Sequence, residues 1–134
     1  MANGEIRNDD EFRTPVYFSG LEYNGKAPTD IDGVFELNDK VWIIYEVKNK
    51  GTMMNTGQRL LMERFVRDMS NAGKTAYAIY CYHEPNIDKI YLADCEVVSY
   101  RFNTHPKWVI PKQKYTVKEM TDEIIKNTYN EGVA

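Results

Sequence analysis

At 134 residues, with 43% hydrophobic and 28% charged side chains, the chain has the size and composition of one soluble domain able to bury a core, and not of a disordered segment. Its net charge of −3 is not that of a strongly basic nucleic-acid binder. No apolar run approaches the ~20 residues that cross a bilayer, and the opening MANGEIRNDDEFR is polar rather than a hydrophobic export signal, so a cytoplasmic protein with no membrane partner is expected.

In chain order, residues 16–23 (VYFSGLEY) read as a first strand, closed by the turn residues Asn24-Gly25. Residues 31–37 form a second, and Asn38-Asp39 turns the chain into a third at 41–48, so a three-stranded antiparallel meander is expected. After Gly51 the apolar period changes to that of a helix, with Leu61, Phe65 and Met69 on one face, Asn55 or Thr56 as N-cap and Gly73 as the stop. Residues 75–82 (TAYAIYCY) then read as a buried strand, and a helix between two strands permits a parallel crossover. Shorter strands follow around 90–92 and 96–102, with another extended piece near 107–110. A last helix opens at Thr116, whose spacing to Glu119 has capping-box form, with Val117, Met120 and Ile124 on its apolar face. No repeat or linker interrupts the chain, so 1–134 is expected to be one domain. The two cysteines, Cys81 and Cys95, lack metal-ligand spacing and read as reduced, buried thiols.

Charge gathers unevenly around the third strand. Residues 1–47 carry four basic and ten acidic side chains, whereas 48–74 carry six basic and two acidic. Residues two apart on a strand share a face, so Glu46, Lys48 and Lys50 project together, as do Asp30 and Asp32 on the neighbouring strand. Paired through Asn38-Asp39, the two strands can bring one acid each to the same end of the sheet. Adjacent carboxylates repel and are costly to desolvate, a cost that a divalent cation relieves, and oxygen-only ligands favour Mg²⁺. Metal, water and the Lys48 amine are the parts a phosphodiesterase needs. The plainer readings are a turn acid at Asp32 and an exposed charge pair between Glu46 and Lys48. His83 and Glu84, after the fourth strand, carry no specific signal, and Arg59, Arg64 and Arg67 rotate around the helix so that Arg59 alone lies near the site.

Asp32 opening one apolar strand, then Glu46-Val47-Lys48 closing the next before a helix, resembles the PD-(D/E)XK nuclease superfamily, in particular its Holliday-junction-resolvase and phage or restriction-type branches. The resemblance covers about residues 16–82 and implies an α/β, restriction-endonuclease-like αβββαβ core with C-terminal additions over 83–134. It implies that Asp32, Glu46 and the Val47 carbonyl hold Mg²⁺ (or Mn²⁺), that Lys48 is the catalytic lysine, and that Gln58 lines the site. Lys50 and Arg59 would contact flanking phosphates. The implied activity is metal-dependent hydrolysis of nucleic acid, DNA before RNA, with a homodimer required to cut both strands of a duplex. The family's first-helix glutamate has no clear counterpart: Asp10, Glu11 and Glu22 are candidates, and position 31 is Ile where the motif has Pro. The alternative is a nuclease-like domain that binds nucleic acid or a protein without cutting.

Overall fold

Asn38 and Asp39 hold φ angles of 51° and 57°, the two left-handed residues of a type I′ turn. That turn joins β1 (Gly33–Leu37) to β2 (Val41–Asn49) as an antiparallel hairpin, with Leu37 opposite Val41 and Gly33 opposite Tyr45. The computed structural model describes residues 14–130 and divides the chain into two units, Met1–Asp30 and Ile31–Ala134. In the second unit, helix α1 (Thr56–Asn71) returns the chain to β3 (Thr75–His83), which runs parallel to β2 from Val41 beside Thr75 to Asn49 beside His83. A 3₁₀ turn at Leu92–Asp94 leads into β4 (Glu96–Phe102), antiparallel to β3, and α2 (Val117–Asn130) follows. The result is an α/β fold with a four-stranded mixed sheet in the order β1-β2-β3-β4.

The period-2 alternation of the central strands sorts the core into two layers. Ile44, Ala76 and Ala78 pack with Met62 and Val66 of α1 on one face of the sheet. Val41, Ile43, Tyr45, Ile79 and Cys81 pack with Val117, Met120 and Ile124 of α2 on the other. The parallel pair β2 and β3 is thus covered on both faces, the setting in which parallel strands are stable. Helix ends are closed locally. The Asn55 side chain accepts from the Gln58 N–H at 2.8 Å. Thr116 and Glu119 form the reciprocal capping box, with bonds of 2.8 and 3.1 Å.

Four expectations are corrected. Residues 16–23 do not form a strand: a turn bonds the Leu21 N–H to the Phe18 carbonyl, and Gly20 takes φ 91°, a left-handed conformation that interrupts an extended run. Only the Asn24-Gly25 turn behind it forms, closed by Tyr23 and Lys26. The meander is therefore a two-stranded hairpin among the described residues, and Asp10 and Glu11 lie outside them. Of the expected α1 face, Phe65 and Met69 pack against the sheet beside the buried Met62 and Val66, whereas Leu61 falls off it and is 37% exposed. Residues 90–92 give no strand, because Asp94 and Cys95 bond back to Tyr91 and Leu92 in the 3₁₀ turn. Residues 107–110 do supply an extended piece, bridging β4 through Tyr100 and Val109. Among the described residues no helix is long and apolar enough to cross a membrane.

Ala78 is fully buried beneath α1. We predict that Ala78→Leu costs about 1–3 kcal/mol by overpacking this layer. Urea unfolding measures this, and an unchanged midpoint would show that the helix does not approach the sheet there.

Candidate active site

Glu46 is the buried charge of the structure, only 3% exposed among the described residues. Its position follows from the same alternation that buries Ile44: both face α1, two residues apart on β2. Where the apolar layer ends, the side chain meets the first turn of α1, and the Gln58 amide donates to Glu46 Oε2 at 2.7 Å. One pleat further, Lys48 Nζ lies 3.1 Å from the same oxygen. The hairpin ladder ends at Gly33 opposite Tyr45, and Asp32, just before it, interacts with the Glu46 carboxyl. Asp32 Oδ2 accepts from the Val47 N–H at 2.7 Å, which ties the start of β1 to the end of β2.

Burial pushes the Glu46 carboxyl above the usual glutamate range; Lys48 pulls it down, and the neighbouring Asp32 charge pushes it up again. Two buried oxygens here, Glu46 Oε1 and Gln58 Oε1, have no hydrogen-bond partner. Unpaired buried acceptors are uncommon and costly. Both belong to side chains joined at the end of the sheet, and the Asp32 carboxylate lies within interaction distance of Glu46. A hard cation would satisfy such oxygens. Among the described residues no three His, Cys, Asp or Glu side chains converge as a metal-ligating group. Two carboxylates completed by carbonyl and water oxygens are a donor set of the Mg²⁺ type.

Asp32, Glu46, Lys48 and Gln58, singled out in the sequence, are brought together. Val47 joins them through its N–H. Lys50 turns elsewhere: its ammonium lies 3.4 Å from Glu84, and its N–H bonds the His83 carbonyl beyond the end of the strand. Arg59 pairs with Glu63 at 2.9 Å, one helical turn on, where Glu63 also takes the Trp108 indole at 2.8 Å and Arg101 at 3.4 Å. Arg64 and Arg67 stay on α1, and Arg67 pairs with Asp68 at 2.8 Å. Asp30 and Glu22 are exposed residues of the first unit.

Two tyrosines were not singled out. Tyr80 and Tyr82 lie beside Glu46 and Lys48 in the parallel register, and their rings meet edge to face at 5.5 Å. The Tyr80 hydroxyl donates to the Thr52 carbonyl, pinning the loop that leads to Gln58. The signal for them lies in pairing register, which TAYAIYCY does not disclose without its partner strand. Behind the site, the Cys81 thiol approaches the Glu46 carbonyl at 3.6 Å, and both cysteines are free and buried.

Set against protein-family models, curated proteins and solved structures, the chain matches none of them. What it does must be read from the site itself.

The raised pKa of Glu46 has a sign in solution. The folded protein holds this proton longer than the unfolded chain does. Metal-free stability from the protonated form is therefore present at low pH and is lost as pH rises from the ordinary glutamate range through the raised value. Thermal melts across that window should show wild type losing more stability than Glu46→Gln as pH rises. Parallel pH profiles for the two proteins would contradict the shift.

Proposed function

We propose that this protein is a metal-dependent phosphodiesterase acting on nucleic acid, with DNA favoured by its resemblance to PD-(D/E)XK nucleases. One observation carries the reading: a buried carboxylate with an unpartnered oxygen lies beside a second acid and 3.1 Å from an ammonium. A surface charge pair, the plainer explanation, does not account for a glutamate that is 3% exposed. The hairpin, crossover helix and parallel strand supply a ββαβ arrangement in keeping with the later part of the αβββαβ core.

Asp32, Glu46 and the Val47 carbonyl are the residues that would hold Mg²⁺ or Mn²⁺. Bound there, the ion supplies Lewis-acid polarisation of a phosphoryl oxygen and acidifies water. The chain's own residues do the rest. Lys48, anchored on Glu46, offers an ammonium to the charge that develops on the phosphoryl oxygens as the bond to the leaving oxygen breaks. Gln58 fixes the Glu46 carboxylate through its amide and presents a carbonyl oxygen able to accept from an attacking water. Asp32 locks the two strand ends in register through the Val47 N–H. With the site formed within one chain, cutting both strands of a duplex would take a second copy.

Lys48→Ala and Asp32→Asn should each lower Mg²⁺-dependent cleavage at least ~100-fold, the scale seen when one transition-state donor is removed. Melting temperature should change little in Asp32→Asn, because the asparagine oxygen can still accept from Val47, and should fall in Lys48→Ala, which takes the ammonium from the buried Glu46. An assay panel of linear, nicked, flapped and four-way DNA together with RNA, run with Mg²⁺, Mn²⁺ or EDTA, reads this out. Cleavage that survives either substitution or EDTA would end the proposed mechanism. No cleavage of any substrate, with nucleic-acid binding retained, would favour the non-cutting alternative.

A further inference from the structure

A cavity of about 380 Å³ opens past the same end of the sheet, on its α2 side, between the end of β3, the loop before the 3₁₀ turn and the start of α2. Tyr82 forms part of its wall and pairs in register with Lys48 on the adjacent strand. The Tyr82 backbone lies one strand spacing, about 4.8 Å, from that of Lys48. Lys50, two residues after Lys48, lines it as well.

The lining chemistry is selective. Three phenol rings, Tyr82, Tyr91 and Tyr115, and the aliphatic Ile87 and Ile90 offer flat and apolar surface. Tyr91, Ile87 and Ile90 are 54%, 45% and 49% exposed, an unusual concentration of apolar side chains at one opening. Lysines 50, 89 and 114 add positive charge. Of the four acids present, Glu84 pairs with Lys50 and Glu119 caps α2, leaving Asp94 and Glu96 as acceptors for N–H groups. Flat apolar walls, ammonium groups and a few carboxylates match a nucleotide, which combines a π-face, a phosphate and base-edge donors.

We propose that this cavity receives one unpaired nucleotide of the strand whose phosphodiester lies at Glu46 and Lys48, so that the preferred substrate carries a single-stranded tail or flap. The proposal rests on the nuclease reading above and adds the substrate's structure to it. A base held in a duplex cannot enter a concave pocket, whereas an unpaired base has both faces available for stacking on tyrosine. Tyr91, exposed and just ahead of the 3₁₀ turn, is the ring best placed to stack without supporting the core.

The test uses the 134-residue chain carrying Lys48→Ala, so that binding is measured without turnover. Fluorescence anisotropy compares a blunt duplex, the same duplex with a single-stranded tail, and a free mononucleotide as competitor. The tailed DNA should bind about 10-fold tighter than the blunt one, the mononucleotide should erode only that advantage, and adding Tyr91→Ala should abolish it while Tyr91→Phe keeps it. Melting curves of the Tyr91 variants check that the fold is intact. Equal affinity for both DNAs, or a tail preference that survives Tyr91→Ala, would overturn the proposal. A mononucleotide that binds without any tail preference would do the same, marking the cavity as a site for free nucleotide. The two proposals separate cleanly. Failure of the parent protein to cleave any substrate would remove the nuclease reading while a Tyr91-dependent tail preference stood, and cleavage without that preference would remove only the pocket.

Discussion

Removing a carboxylate from water costs several kcal/mol unless neighbouring groups replace the lost hydration. Glu46 meets that cost at the end of β2, and the rest of the site is arranged around it. Gln58 and Lys48 both address one of its oxygens, and the other has no partner. A fold selected for stability alone could fill this position with an aliphatic side chain, as β2 does at Ile44 on the same face. Retaining an acid with an unpaired oxygen, beside a second acid, fits a position held for its chemistry.

The architecture makes such a position available through three backbone devices. The Asn38-Asp39 turn fixes the hairpin register, and Asp32, just before β1, comes beside Glu46. Helix α1, capped by Asn55, sets its first turn over the end of β2, where Gln58 reaches down. The parallel pairing of β2 with β3 lays Tyr80 and Tyr82 alongside, and Tyr80 holds the connecting loop through Thr52. The charged residues stand at the carboxyl end of the two parallel strands, the edge where open α/β sheets bind ligands. The cavity opens past the same edge on the α2 side, and Tyr82 of its wall pairs in register with Lys48.

Much of this was legible in the sequence because short-range chemistry governs it. Asn-Asp between two apolar runs specifies a tight hairpin, Thr116 and Glu119 specify a cap, and alternation places Glu46 and Lys48 on one face. The misreadings arose where tertiary partners decide. VYFSGLEY has strand-like composition, but Gly20 and its turn take it out of a ladder. Leu61 and Met62 are adjacent apolar residues of α1, and contact with the sheet alanines buries Met62, with Phe65 and Met69 alongside it. Lys50 follows the alternation of Lys48 on paper; the strand ends at Asn49, and the lysine joins Glu84 instead. Tyr80 and Tyr82 needed the register of a strand about 35 residues away in sequence, information that no local pattern holds.

The central claim is that the Asp32 and Glu46 oxygens share one hard cation, and anomalous scattering from a crystal soaked in Mn²⁺ tests it most directly. The account predicts a single strong peak at the end of β2, within about 2.0–2.3 Å of an oxygen from each carboxylate, and its loss in Glu46→Gln crystals. Density for the metal elsewhere, or none at millimolar Mn²⁺ with Lys48 still seated on Glu46, would contradict it.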